Sequence, residues 1–317
     1  MRATRTLRGV ALDLLDPAST AQLKAACGAS VSVCLPARDE AATVGRIVST
    51  LRRELMEAHP VVDEIIVLDD GSTDATAAVA AAAGATVVAE ASVLPAAGPG
   101  SGKGNAMWKS LHASRGDLVC WLDADLTTFG AHYVTRLLDP LLTDPEVVFV
   151  KGYYERPAAD AGPGAGRPGG GGRVTELVAR PLISHLFPHL SGFVQPLGGE
   201  YAGRREALEA VPFVEGWGVE LGLLVDLARR HGLDALAQVD LGVRRHRHRP
   251  LAELGPQAMA VLVTALRRAG LDPLPADGSP AAELVRFGEG HAPERVAVEV
   301  RERPPLRELR AAPTTGR

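Results

Sequence analysis

Cysteine is scarce in this chain of 317 residues. The three present, Cys27, Cys34 and Cys120, are too few for a disulfide framework and lack the Cys-x-x-Cys spacing of a zinc site, so a reducing, cytoplasmic setting is expected. Aromatic residues make up only 4%, which argues against stacking platforms for single-stranded nucleic acid. Charge of one sign is not in excess either: 34 basic against 38 acidic residues give a formal net charge of −4, so no broad basic field invites nucleic acid or an anionic membrane. The basic start is interrupted by Asp13 and Asp16 before an apolar leader segment develops. The longest uncharged run, 75–89, is alanine-rich, too short and too weakly apolar to span a bilayer. Lysine is the rarest charged residue. Only Lys24, Lys103, Lys109 and Lys151 occur among the 34 basic residues, and each is a candidate place for a compact point charge in a chain whose default cation is arginine. With 46% hydrophobic and 23% charged residues the remainder is that of a folded protein of one large domain or two small ones, long enough for a sizeable core.

The first half alternates. Apolar runs of strand length at 30–35, 64–68, 86–88, 118–122 and 147–150 enclose helical patterns at 41–57, 74–83, 105–113 and 132–142. That order predicts an α/β fold built on a parallel sheet with right-handed crossovers, whose ligands sit beyond the carboxyl ends of the strands. The second half is less regular. A Gly/Pro-rich loop spans 156–172, a helix bent at Pro181 is expected from 175 to about 185, and a short strand at 200–202. A helix at 219–231, a strand at 236–243 and a last helix at 254–269 follow, then a Pro-rich charged tail expected to be poorly ordered.

Polar clusters follow three of the strands: PARDE at 36–40, DDGSTD at 69–74 and DAD at 123–125. Carboxylates two apart at a strand end, Asp123 and Asp125, point the same way and repel unless a cation lies between them, and Mg2+ or Mn2+ shared with substrate phosphates meets that need. A lone Asp-x-Asp is as readily a solvated turn; the neighbouring clusters favour a cleft. In DDGSTD, Ser72 or Asp74 can cap the following helix, which leaves Asp69 and Asp70 to accept hydrogen bonds from a base or ribose. The stretch GSGKGN at 100–105 is not a phosphate-binding P-loop, because Ala97 stands at the first glycine position and Gly104 where a hydroxyl residue would hold magnesium. It still places Lys103 at a helix start behind a flexible loop, suited to a diphosphate. The glycines at 164, 166 and 169 have dinucleotide-fingerprint spacing but lie in a Pro-interrupted loop, not a strand-to-helix turn. GGGGRVTE at 169–176 is a second anion site, with Arg173 as a bidentate fork, or a linker running into a helix. RRHRHR at 244–249 offers His246 and His248 as metal ligands or forms a solvated basic edge, and Glu220 is a catalytic carboxylate or first-turn helix charge.

Taken together, GGGRVTELVARP at 170–181, QPLGGEY at 195–201 and AQVDLGVR at 237–244 with His246 and Arg249-Pro250 resemble the glucosyl-3-phosphoglycerate synthases of actinobacteria, retaining glycosyltransferases of GT-A type. The resemblance runs from about residue 30 to 254. It implies a Rossmann-like nucleotide-binding sheet with an acceptor-binding C-terminal portion: an extension at 1–29, a nucleotide-sugar domain at 30–153, an acceptor and catalytic portion at 154–250, and a C-terminal helix and tail at 251–317 in dimer contact. Pro36, Ala37, Arg38, Glu40 and Asp70 would hold uridine, Lys103 would meet the diphosphate, and Asp123 the nucleoside portion. Asp125 and His246 would bind the divalent metal, Gly172, Arg173 and Thr175 would cradle the phosphate of 3-phosphoglycerate, and Glu220 and Arg244 would lie near the transferred glucose and the acceptor. The implied reaction moves glucose from UDP-glucose to the 2-hydroxyl of 3-phosphoglycerate with retention, releasing UDP, in a cytoplasmic homodimer without nucleic-acid or membrane partners; its product is a precursor of glucosylglycerate or methylglucose lipopolysaccharide. The sequence departs from the family's pattern at Arg38-Asp39, Asp70, Trp217 and His248. The first two bear on base preference, and His248 bears on acceptor or metal contacts.

Three other readings compete. A mannosyl-3-phosphoglycerate synthase would run the same chemistry from GDP-mannose. A sugar-nucleotide nucleotidylyltransferase would need a Gly-rich turn after the first strand, where PARDE has no glycine. A non-catalytic sugar-nucleotide-binding module has no need of Asp125, His246 and Arg173 together.

Overall fold

A computed structural model of the chain describes residues 8–9, 16–155, 172–244, 251–272 and 281–311. The N-terminal half contains β1 (Arg8–Gly9), α1 (Pro17–Cys27), β2 (Val31–Ala37), α2 (Val44–Arg52), β3 (Glu64–Asp69), α3 (Thr76–Ala83) and β4 (Thr86–Ala89). It continues with α4 (Gly102–Ala113), β5 (Leu118–Trp121), α5 (His132–Thr143) and β6 (Phe149–Glu155). The strand–helix alternation expected from the apolar runs is therefore present. Helix α2 continues as a wider π-type turn, Arg53–Ala58, and α4 begins three residues before its apolar pattern does, which brings Lys103 into its first turn.

Beyond residue 171 come α6 (Arg180–Leu186), β7 (Tyr201–Arg204), α7 (Arg205–Leu208), β8 (Phe213–Val214), α8 (Val219–His231) and β9 (Leu236–Val243). Pro181, with no N–H to give, marks the change from a π-type turn at Thr175–Ala179 to the regular α6. The Gly/Pro loop lies, up to 171, outside the described residues. After α9 (Leu251–Arg268) the charged tail, contrary to expectation, is structured where it is described: β10 (Ala281–Phe287) and β11 (Pro293–Glu299) form an antiparallel hairpin, β12 (Glu302–Arg303) pairs with β8, and α10 (Leu306–Ala311) follows. One face of the hairpin covers α9: Ala282, Leu284 and Val298 pack with residues of that helix, and Arg286 and Glu294 pair across the strands at 2.7 Å further along the same face, while Val285 and Phe287 of the opposite face are exposed.

Among the described residues the main sheet has eight strands in the order β1-β9-β6-β7-β5-β2-β3-β4. It is not wholly parallel. Strands β4, β3, β2 and β5 are parallel neighbours, but β7 lies antiparallel between β5 and β6, and β9 then pairs parallel to β6. The consequence is functional: because β7 runs the other way, the residues that precede it reach the same edge as the residues that follow β5 and β9. Period-two alternation sends Val31, Val33 and Leu35 of β2 into one apolar cluster with α2 and α5, and Cys34, with Val119 and Trp121 of β5, into the other with α4 and α8. Cys34 and Cys120 are buried free thiols, and burial pushes Cys34 up to about 12, so neither is poised to react. No helix among the described residues is long and apolar enough to cross a membrane.

Close backbone packing sets α4 in place. A Cβ on Gly104 would overlap the carbonyl oxygen of Val214, a backbone atom that cannot rotate away. Gly104→Ala is therefore expected to cost about 1–3 kcal/mol, read as a lower urea midpoint at unchanged slope.

Candidate active site

The ends of β2 and β3 are joined by Asp70 N–H donating to the Ala37 carbonyl at 2.9 Å. Asp39 takes a left-handed backbone (φ 56°), and its carboxylate accepts from Thr73 N–H at 2.7 Å and the Thr73 hydroxyl at 3.1 Å. An aspartate or asparagine suits both demands, since these residues tolerate positive φ and carry a short acceptor. Ser72 accepts from Asp39 N–H, and Asp74 accepts from the N–H of Thr76, the first residue of α3, and of Ala41. The N-cap position of α3 is Ala75, so Asp74 meets the helix's first N–H from one residue further out, and the DDGSTD stretch also fastens the PARDE turn. Asp70 is left half-buried, its carboxyl raised by burial against the pull of Arg38, whose exposed guanidinium stands 4.0 Å away. Pro36 and Glu40 are half-buried and Ala37 buried on the same edge.

Asp123 and Asp125 lie in the turn after β5, not in the strand itself, yet they converge as expected: Nη2 of Arg244 reaches Asp123 Oδ2 at 2.8 Å and Asp125 Oδ1 at 3.4 Å. Arg244, the residue after β9, is buried, with Nη1 2.7 Å from Glu200 and 2.9 Å from the Tyr154 hydroxyl. On the other side Lys103 Nζ lies 2.5 Å from Asp123 Oδ1 and 3.0 Å from Glu220 Oε1. Burial works against ionising Asp123, but Lys103 and Arg244 outweigh it and hold the carboxyl well below the usual range. Lys103 is likewise held well above the ordinary lysine value, because Asp123 and Glu220 overcome its burial.

Two side chains that sequence reasoning assigned no role complete the cluster. Glu200, fully buried, is pushed up to about 7 by burial, with Arg244 opposing and Asp123 adding to the rise. Lys151, on β6, gives its ammonium to the Gly198 carbonyl at 2.8 Å and lies over the Tyr201 ring; burial brings it down to about 8. Gly199, next to both, is a site of close approach, since a Cβ there would overlap the Asp123 carboxylate and Lys103 Nζ. The rarity of lysine was the one signal for Lys151. For Glu200 no strand-end signal exists, as it precedes its strand.

Arg173 is exposed at the start of the helical segment that carries buried Thr175, and the Gly172 carbonyl accepts from Glu176 N–H at 2.9 Å. This segment is tied towards the acidic cluster. Arg180 donates to the Val194 carbonyl at 2.6 Å, Val194 N–H donates to Gln238 of β9 at 2.9 Å, and the loop ends at Gly199 against Asp123. His246 and His248 lie outside the described residues, as do glycines 169–171.

Among the described residues, four carboxylates, Asp123, Asp125, Glu200 and Glu220, meet Lys103 and Arg244 in direct pairs, with the buried Lys151 close by. Asp125 has the most exposed carboxylate of the four, and among the described residues no group of three or more His, Cys, Asp or Glu side chains forms a metal site by itself.

Comparison with known proteins gives consistent results. The profile of glycosyl transferase family 2 matches residues 32–195. The glucosyl-3-phosphoglycerate synthase of Mycolicibacterium smegmatis is 48% identical, over 92% of this chain and 94% of that protein. The crystal structure of the Mycobacterium tuberculosis glucosyl-3-phosphoglycerate synthase with Mn2+, UDP-glucose and phosphoglyceric acid aligns with a TM-score of 0.81 at 41% identity, covering 93% of this chain and 95% of that one. The mannosyl-3-phosphoglycerate synthase of Rubrobacter xylanophilus aligns at 0.82 with 37% identity, covering 93% of each.

Because folding raises the Glu200 pKa from 4.5 to about 7, the stability gained by keeping it protonated is full below pH 4.5 and lost as pH rises through 7. Over that window wild type should lose up to about 3 kcal/mol relative to Glu200→Gln, measured by urea unfolding in chelator across a pH series.

Proposed function

The chain belongs to glycosyl transferase family 2 and, within it, to the glucosyl-3-phosphoglycerate synthases, and from that premise we propose that it transfers glucose from UDP-glucose to the 2-hydroxyl of 3-phosphoglycerate with retention of anomeric configuration. The observation that carries this reading is the meeting of Lys103, Asp123, Asp125, Glu220 and Arg244 at one edge of the sheet. Uridine is held by Pro36, Ala37, Arg38, Glu40 and Asp70 at the joined ends of β2 and β3, and Asp123 reaches the nucleoside portion. Asp125, with His246 from beyond β9, holds a divalent metal, Mn2+ or Mg2+. When bound, the metal supplies Lewis-acid stabilisation of the departing diphosphate.

The rest is the work of this chain's own side chains. Lys103, charged and largely buried, faces the diphosphate from the first turn of α4, where the helix dipole adds to its field. Glu220 lies beside Lys103 and is the carboxylate closest in role to the sugar's developing positive charge; we assign it stabilisation of that charge during front-face attack by the acceptor hydroxyl. Arg244 pairs with both aspartates where glucose and acceptor meet. Gly172, Arg173 and Thr175, with His248, bind the acceptor, Arg173 standing exposed at the start of the helical segment that carries Thr175.

In domain terms, 30–153 serves the donor and 154–250 the acceptor, with 1–29 an extension. Residues 251–317 provide the contact of a cytoplasmic homodimer, a role supported by the exposed Val285 and Phe287 of β10. The rival donor GDP-mannose is favoured by one observation, the likeness to the Rubrobacter mannosyl enzyme, at lower identity than to the glucosyl enzymes.

A donor-by-acceptor matrix tests the reading: UDP-glucose, GDP-glucose and GDP-mannose against 3-phosphoglycerate and glycerate, with and without metal. Nucleotide release is expected only with UDP-glucose, 3-phosphoglycerate and metal together; release from GDP-mannose alone would transfer the assignment to the rival. Asp125→Ala should lower turnover by roughly 10³-fold. Arg173→Ala should raise the KM for 3-phosphoglycerate about 10- to 150-fold, and an unchanged KM would remove Arg173 from the acceptor site.

A further inference from the structure

Arg303 lies far along the chain from every residue placed in the active site, in the short strand β12, yet it is buried and fully engaged. Its Nε is 2.7 Å from Glu215 Oε1 and donates to Asn105 Oδ1 at 2.8 Å. Nη1 donates to the Ala97 carbonyl at 2.7 Å and Nη2 to the Gly98 carbonyl at 3.2 Å, while the guanidinium stacks 5.4 Å from the Trp108 ring. The second Glu215 oxygen accepts from Ser101 N–H at 3.3 Å, and Glu215 N–H donates to the Arg301 carbonyl at 2.8 Å. Gly100 has no room for a Cβ beside the guanidinium, and Gly102 none beside Gly216.

One planar side chain thus fastens two segments. Residues 97–101 run directly into Lys103, and 213–216 run into α8, whose second residue is Glu220. Lys103 and Glu220 then meet at 3.0 Å. We infer that Arg303 is a positioning residue for transfer: by clasping these segments together it sets the Lys103–Glu220 pair at the depth where the donor diphosphate is received. Lysine cannot replace it. A single ammonium can pair with Glu215, but it lacks the planar fork that reaches Asn105 and two carbonyls at once.

The inference rests on the role proposed for Lys103, and the test separates the two. Full-length Arg303→Lys, the milder change, and Arg303→Met are compared with wild type by hydrogen exchange and by steady-state kinetics with Mn2+. Amides in 97–103 and 213–218 are expected to exchange at least about tenfold faster, with the central strands β2 and β5 unchanged. The KM for UDP-glucose should rise by about tenfold while that for 3-phosphoglycerate moves by less than about twofold, and Arg303→Lys should fall between wild type and Arg303→Met. Unchanged exchange in 97–103, equal loss of protection in the central strands, or parallel shifts of both KM values would each overturn the clasp. Absence of UDP release by the wild-type enzyme would instead overturn the functional reading, leaving the exchange result to decide the clasp.

Discussion

Asp123 is held between two cations that arrive from opposite ends of the site, Lys103 from the start of α4 and Arg244 from the end of β9. A carboxylate withdrawn from water is costly unless paired, and a pair that loses one member leaves an uncompensated charge. The surrounding geometry serves that requirement. Gly199 has no side chain so that the carboxylate and the ammonium can meet; Glu200 turns Arg244 in place; Glu220 shares Lys103. Asp125, bridged to Asp123 through the same arginine, has the most exposed carboxylate of the group.

Much of this is legible in the amino-acid sequence, and the boundary has physical causes. Apolar runs of strand length announce strands, and the rule that ligands sit beyond strand C-termini directs attention to PARDE, DDGSTD and Asp123-Ala-Asp125. The same rule passes over Glu200, because it precedes a strand whose antiparallel insertion no local periodicity announces. Arg303 is hidden for another reason. It sits among prolines and charges, a composition that reads as loose tail, and its partners Glu215, Asn105 and Ala97 all lie far earlier in the sequence.

The scarcity of lysine proves informative in a way composition seldom is. Lys24 pairs with Asp63 at 2.6 Å, Lys109 with Glu90 at 2.6 Å, Lys103 with Asp123, and Lys151 with a carbonyl. All four are largely or fully buried, each with a compact ammonium head set on a few close acceptors. Arginine, by contrast, stands at the junctions that need several partners at once: Arg244 beneath the aspartates, Arg205 across the ends of α4 and β5, and Arg303 behind the loop.

The strand order also governs how the molecule can be made. A ribosome delivers β6 before β7, but β6 has no neighbour among the strands already emerged, because β7 must lie between it and β5. Until residue 204 has been translated, the growing chain carries a four-stranded half-sheet with a bare hydrogen-bonding margin at β5, together with an aspartate pair whose arginine is still unsynthesised. The cluster around Asp123 is therefore complete only late in synthesis, once β9 and Arg244 have emerged.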